Sequence, residues 1–228
     1  MAKLLLYGLQ RSGTNFLERI LLKNFEVEFL NSNEHRNHPV QKHFRLYDDK
    51  HLITPRDYRN DHVFDGFEAF EKALPEPADG YVVISKDPYA WALSYRSWAN
   101  KCKWPKVDFH PAAEWEAFYG KWLDFSHQTD RIQFVRYVDL LSRSEHVLGA
   151  VARRFGIDAD EESVVGALDR VPQSGAFTDE RKRYYVEQEY LGEMRDTEIA
   201  AINHEVSERT LIGLGYERHT ASAASLSA

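Results

Sequence analysis

The feature that most constrains the fold is a short apolar segment, Lys3 to Tyr7, which leads into a glycine loop and then an amphipathic helix. A short apolar run closed by glycine is typical of a buried strand in a parallel sheet. From Thr14 to Asn24 the apolar residues recur at helical spacing, and charged residues occupy the opposite face. The segment therefore predicts a strand, a tight loop and a helix in that order.

The rest of the chain continues this alternation. Strands are predicted at residues 26–30, 81–85 and 131–137, with a further short candidate at 42–46. Helices are predicted at residues 63–74 (weakly), from Asp87-Pro88 onward, at 115–125, and over most of 138–214. Alternating strands and helices predict an α/β fold, with a P-loop-like parallel sheet flanked by helices on both faces and a helical C-terminal part. We expect one domain over residues 1–216 and a disordered tail over 217–228, where apolar periodicity is missing.

Composition restricts the class of partner. The chain has 36 acidic and 29 basic residues, a net charge of −7, which argues against a general nucleic-acid or acidic-membrane binder. An anionic ligand would therefore need a local basic pocket. The single cysteine, Cys102, allows no internal disulfide and indicates a reducing compartment. The apolar run at residues 3–9 is too short for a membrane span or a signal sequence, so we expect a cytoplasmic protein.

The glycine loop has the composition of an anion-binding site. Gly8 and Gly13, with four residues between them, permit a tight path into the following helix. A helix N-terminus directs free backbone N–H groups and a positive dipole end at one point. Arg11, inside the loop, adds a forked, charged donor. Three short polar side chains accompany it: Ser12, Thr14 and Asn15. A strand-to-helix turn that merely contains glycine is the plainer alternative.

The loop departs from the pattern of ATP- and GTP-binding loops. Those loops carry a lysine that contacts the β- and γ-phosphates, followed by a serine or threonine that binds magnesium. Here Thr14 occupies the lysine position and Asn15 follows it. The one candidate for a magnesium-binding aspartate, Asp87, is better explained as a helix cap before Pro88. A P-loop kinase acting on a nucleotide or small molecule nevertheless stays open as an alternative.

Several motifs in order resemble the sulfotransferases that use 3′-phosphoadenylyl sulfate (PAPS). Residues 11–17, RSGTNFL, are similar to the 5′-phosphosulfate loop of that family. Lys86 to Ser94 is similar to its 3′-phosphate motif, in which a basic residue ends a strand and a serine follows eight positions later. Residues 136–141, RYVDLL, resemble a strand-to-helix segment further along the family's chain. The resemblance covers roughly residues 4–24, 81–100 and 112–141.

The resemblance implies transfer of a sulfuryl group from PAPS to a hydroxyl or amine by in-line displacement, with PAP as the product and no metal requirement. It implies cofactor binding by Arg11, Ser12, Gly13, Thr14, Asn15, Lys86 and Ser94. A glycine-rich 3′-phosphate motif found in some members is missing. Arg181 and Lys182, in the basic triplet that ends at Arg183, are candidate substitutes, with an exposed helix face as the alternative. A non-catalytic PAP-binding protein is also compatible with these motifs.

The resemblance also implies the catalytic residues. Arg11 would stabilise the transferring group, and His43 falls where cytosolic members place a histidine base shortly after a lysine. An unperturbed histidine pKa of about 6.5 suits that role. Glu34 and His35 are reserve candidates, because other members use a carboxylate. The histidine spacing in this segment matches no common zinc site.

We expect the acceptor to be a small molecule or a glycan. Aromatic residues between positions 89 and 125 suit either an acceptor cleft or a hydrophobic core. Phenol, amine, sugar and lipid acceptors all stay open.

Overall fold

The computed structural model describes residues 1–32, 38–46, 63–104, 110–157, 170–171, 175–176 and 178–220. Within these residues a parallel sheet of four strands occupies the centre. The strands are β1 (Ala2–Tyr7), β2 (Val27–Phe29), β3 (Gly80–Ser85) and β4 (Ile132–Arg136), in the order β2-β1-β3-β4. The two inner strands are almost wholly buried, as expected of apolar runs covered on both faces. The strands predicted at these four places are confirmed.

Helices fill the connections. They are α1 (Thr14–Asn24), α2 (Phe67–Lys72), α3 (Pro88–Lys101), α4 (Ala112–Ser126), α5 (Tyr137–Ser142), α6 (Ser144–Phe155), α7 (Asp179–Val186), α8 (Asp196–Glu205) and α9 (Glu208–Gly213). A 3₁₀ turn at Glu189–Glu193 separates α7 from α8. A two-stranded antiparallel ribbon, β5 (Arg170–Val171) and β6 (Gly175–Ala176), was not predicted. Otherwise the helical C-terminal part is confirmed over the described residues.

Two local predictions were wrong. Residues 42–46 form a turn followed by irregular chain, and not a strand. The side chain of Gln41 accepts from the N–H of His43, and its carbonyl accepts from Phe44 at 3.0 Å. Such local bonds satisfy the backbone in place of a sheet ladder. The predicted strand 131–137 is also one residue too long at each end, since β4 begins at Ile132 and Tyr137 already begins α5.

The sheet separates two hydrophobic cores. Leu5 and Tyr7 of β1 pack into one core together with α4, and Leu4 and Leu6 pack into the other together with α1 and α6. Alternate residues of a strand point to opposite faces, so an uninterrupted apolar run supplies both cores. The predicted placement of helices on both faces is confirmed.

The parallel strands bring the predicted motifs to one edge of the sheet. The glycine loop follows β1, and Lys86 follows β3, the strand paired with β1. Ligands of open α/β sheets bind at the carboxyl ends of the strands. Among the described residues, no helix has both the length and the apolar character needed to cross a membrane. Residues 33–37 and 221–228, which include Glu34, His35 and most of the predicted tail, lie outside the described residues.

Candidate active site

The glycine loop is held tightly against β3. A Cβ on Gly8 would lie 2.6 Å from the carbonyl oxygen of Ile84, so this close approach requires glycine. Gly13 has a φ of 102°, and a Cβ there would lie 2.6 Å from the ring of Tyr137. Arg11 also has a positive φ of 73°, which costs a residue with a side chain about 1 kcal/mol or more. Strained backbone of this kind clusters at functional sites.

Arg11 projects from the loop towards α3. Its Nε donates to Ser94 Oγ at 3.4 Å, and its guanidinium carbon lies 4.9 Å from the ring centroid of Trp98. The first turn of α1 follows directly from Gly13 and has no side-chain cap. The fold therefore places Arg11, Ser94 and uncapped helix amides close together, although Arg11 and Ser94 are 83 positions apart.

The Ser12 side chain faces the protein interior. Its hydroxyl is fully buried and lies 2.7 Å from the hydroxyl of Tyr119. Tyr119 donates to the carbonyl of Ile84 at 3.0 Å, so Ser12 is the donor in the bond between the two hydroxyls. Ser12 thus anchors the loop to α4. Of the other predicted loop residues, Thr14 is buried and Asn15 is exposed.

Lys86 lies at the end of β3 and is only 5% exposed. Its ammonium lies 4.4 Å from the ring centroid of Tyr137 and 4.7 Å from that of Tyr185, and it donates to the Tyr185 hydroxyl at 3.4 Å. Burial, together with the positive charges of Arg11 and Arg181, lowers the pKa of Lys86 to about 7. An ammonium held among aromatic rings and other cations is a site prepared for an anion.

Arg181 belongs to the same group of charges. It lies in the first turn of α7, which Thr178 caps by accepting from the Arg181 N–H at 3.2 Å. Its side chain donates to the Tyr185 hydroxyl and lies close enough to lower the pKa of Lys86. Its neighbour Arg183 instead pairs with Glu189 at the surface, at 2.8 Å. Lys182 is partly buried and is not among the residues that contact Lys86.

The cations Arg11, Lys86 and Arg181 are hereafter called the cation cluster. Within the described part of the chain, the recorded partners of Arg11 and Lys86 are hydroxyls and aromatic rings, with no carboxylate among them. A buried charge without a counter-ion is costly, so the buried ammonium of Lys86 favours an anionic ligand.

A cavity of about 190 Å³ adjoins Lys86. Its walls include Asp87, Tyr137, Tyr185, Tyr190 and Tyr216. Asp87 caps α3 by accepting from the N–H groups of Tyr89 at 2.9 Å and Ala90 at 3.2 Å, which confirms its predicted role. Burial raises the pKa of Asp87 to about 6.

His43 lies beside the glycine loop. Its Nδ1 is 2.6 Å from the carbonyl oxygen of Gly8. A carbonyl can only accept, so Nδ1 carries the proton and Nε2 is the accepting nitrogen of the neutral ring. Burial lowers the pKa of His43 to about 4; the charges of Arg45 and Lys42 act in the same direction, and the bond to Gly8 opposes them. His43 is therefore neutral at pH 7, with an accepting nitrogen.

Three residues near these groups were not predicted as part of the site: Arg45, Glu114 and Tyr185. The strongest signal in the sequence was Glu114, a charge on the otherwise aromatic face of α4. Glu114 pairs with Arg45 in the protein interior. Among the residues that the structure describes, no group of three histidine, cysteine, aspartate or glutamate side chains could hold a metal ion.

The fold is that of a sulfotransferase. By structure, the chain is similar to mouse sulfotransferase SULT7A1 complexed with PAP, with a TM-score of 0.51 and 11% sequence identity over 95% of this chain and 89% of that chain. It also matches a sulfotransferase from Alicyclobacillus acidocaldarius with a TM-score of 0.46 and 11% identity, over 95% of this chain and 97% of that chain. No protein-family model and no curated protein sequence matches the chain. The likeness to the mouse enzyme confirms the predicted fold.

Proposed function

We propose that this chain is a PAPS-dependent sulfotransferase that acts on a hydroxyl or amine of a small molecule or glycan. The observation that carries the proposal is the cation cluster, which brings the glycine loop and the end of β3 together around Tyr137 and Tyr185. PAPS is anionic at both ends, and the site offers donors from the glycine loop and from the end of β3. The sulfotransferase fold supports the same assignment.

The phosphosulfate end is assigned to the glycine loop. The backbone N–H groups of Gly13, Thr14 and Asn15 at the start of α1 are suited to phosphate and sulfate oxygens. Arg11 can add two parallel N–H donors. Ser12 contributes by fixing the loop to Tyr119, since its own hydroxyl is buried.

The 3′-phosphate end is assigned to Lys86, Ser94 and Arg181. Lys86 has a pKa near 7 in the free protein, and a phosphate beside it would favour the charged form. The Tyr137 and Tyr185 rings provide aromatic surface next to these cations. Lys182 stays a weaker candidate, because it is not among the residues that contact Lys86.

PAPS supplies the activated sulfuryl group, and the residues of this chain supply position, charge and a base. Arg11 is assigned to stabilise charge on the sulfuryl oxygens and the departing phosphate. His43 Nε2 is assigned to accept the proton of the attacking hydroxyl or amine. The bond from Nδ1 to Gly8 fixes the tautomer that this role needs.

Calorimetry with the protein tests the proposal. PAP should bind without magnesium and more tightly than ATP with magnesium. Arg11→Ala and Lys86→Ala should each weaken PAP binding about 10- to 100-fold, the usual value of a hydrogen bond to a charged group. Lys72→Ala is the matched control, because Lys72 is an exposed lysine on α2 that pairs with Glu68 at the surface. Tighter binding of magnesium-ATP would favour a kinase, and binding of neither ligand would refute the assignment.

Labelled PAPS separates an enzyme from a non-catalytic binding protein. The wild-type protein should transfer label to a mixed pool of phenols, amines and sugars. His43→Gln should bind PAP normally and transfer at least about 100-fold more slowly, as expected on loss of a general base. PAP binding without any transfer would indicate the non-catalytic alternative.

A further inference from the structure

A fully buried ion pair lies behind the candidate base. The Arg45 side chain is 0% exposed and that of Glu114 is 3% exposed. Arg45 Nε donates to Glu114 Oε1 at 2.6 Å, and Nη2 contacts the same oxygen. Buried pairs of this kind contribute little net stability, because desolvation of both charges offsets their attraction, and well-packed apolar residues often replace them without loss. Stability alone therefore gives a weak reason for this pair.

The remaining donors of Arg45 join two parts of the site. Nη1 donates to the carbonyl oxygen of His43 at 2.7 Å, and Nη2 donates to Oε1 of Gln10 at 3.2 Å. Gln10 lies inside the glycine loop, next to Arg11. One planar guanidinium thus connects α4, the segment that carries His43 and the loop that carries Arg11. Only arginine presents several donors in such a rigid fork.

The same helix also contacts the site from two further positions. Trp115 Nε1 donates to the carbonyl oxygen of Lys86 at 3.0 Å, and Tyr119 holds Ser12. Consecutive stretches of α4 therefore fix the end of β3, the glycine loop and, through Arg45, the segment of His43. Helix α4 acts as a common support for these groups.

We propose that Arg45, held in place by Glu114, is a positioning residue that sets the His43 ring against the glycine loop. The proposal rests on the proposed function, in which His43 is the base. The bond between His43 Nδ1 and the Gly8 carbonyl depends on the relative position of two segments, and Arg45 contacts both of them. Without Arg45 the ring would lose its fixed orientation, and Nε2 would spend less time facing the acceptor.

The test replaces the pair with apolar residues of similar size, Arg45→Met with Glu114→Leu. The matched control is Arg209→Gln with Asp124→Asn, which removes an exposed ion pair that also involves α4. We expect the interior variant to keep its thermal midpoint and its affinity for PAP, whereas kcat falls about 100-fold, the cost of a displacement of about 1 Å in a catalytic group. The control should leave kcat unchanged.

A merely structural role is distinguished by NMR titration of His43. Loss of the Arg45 charge should raise the pKa of His43, whereas Arg45→Lys keeps the charge, loses the fork and should lower kcat with the pKa still low. Two other groups influence the His43 ring: the Gly8 carbonyl contacts it, and the charge of Lys42, which is paired with Glu18, acts on it. Gly8, Lys42 and Glu18 are unchanged in every variant.

Each outcome decides the proposal. Wild-type kcat in the folded Arg45→Lys and double variants would overturn it, and so would a double variant in which the pKa of His43 does not rise. If the double variant does not fold, Arg45→Lys alone carries the test through the rate and the titration. If the wild-type protein transfers no sulfuryl group, that result refutes the proposed function but not the positioning role of Arg45. The His43 ring signals and the Gly8 and Gln10 amide shifts in Arg45→Lys then still show whether Arg45 sets this geometry.

Discussion

The buried ammonium of Lys86 should make PAP binding strongly dependent on pH. Its pKa is lowered to about 7 in the free protein, first by burial and then by Arg11 and Arg181. A phosphate beside it favours the charged form, so binding above pH 7 must be accompanied by uptake of a proton. The pKa of Lys86 is depressed in the free protein, and the bound ligand raises it. The affinity for PAP is therefore greatest below pH 7, where Lys86 is already protonated, and it falls as the pH rises.

The magnitude follows from the protonated fraction of free Lys86. With a pKa of about 7, the dissociation constant for PAP should rise about tenfold for each pH unit above 7, or about 1.4 kcal/mol per unit. At pH 9 the loss is about 100-fold. Neighbouring groups do not titrate between pH 7 and 9. The pKa of Asp87 is about 6, and burial raises the pKa of Tyr137 far above this range. A phosphate is already dianionic there.

Calorimetry of PAP binding at pH 6, 7, 8 and 9 provides the measurement. Two buffers of different ionisation enthalpy at each pH give the number of protons taken up, which should approach one at pH 8 to 9. Lys86→Arg is the control, because a guanidinium stays charged throughout and its binding should be almost independent of pH. A wild-type dissociation constant that is constant from pH 7 to 9, with no proton uptake, would show that the reasoning about this lysine is wrong.

Three further predictions concern the loop and the base. Gly13→Ala should destabilise the protein by more than about 1 kcal/mol in chemical denaturation, because its φ of 102° is strained for alanine, whereas Gly192→Ala, with open space around it, should be nearly neutral. Tyr119→Phe should cost about 1–3 kcal/mol in the same assay because Ser12 then loses its buried partner, and an unchanged midpoint would contradict that anchoring role. The rate of sulfuryl transfer at saturating PAPS and acceptor should stay level from pH 7 down to about 5 and fall near 4, because the pKa of His43 is about 4. An acid limb near 6.5 that is lost in His43→Gln would exclude that environment for the base.

Much of the fold follows from local patterns in the sequence. The runs at residues 3–7 and 81–85 are apolar throughout, and such runs form strands covered on both faces. Asp87-Pro88 carries its own helix-start signal, and α3 begins there. The predicted strand at 42–46 failed because the bonds made by Gln41 were not visible in a hydrophobic pattern. The weak helix predicted at 63–74 is confined to Phe67–Lys72.

The features of the candidate site also fall into those that local sequence determines and those that depend on tertiary contacts. The sequence by itself determined the glycine loop, with Arg11 inside it, and a basic residue at the end of the next inner strand, because these are fixed by neighbours a few positions away. Only the tertiary structure decided that Arg181 lies close to Lys86, that Ser12 faces inward, and that Arg45 reaches Glu114, 69 positions later. Periodicity and capping act over one or two turns of helix. Contacts between distant segments depend instead on the order of the strands and on how the helices pack across them.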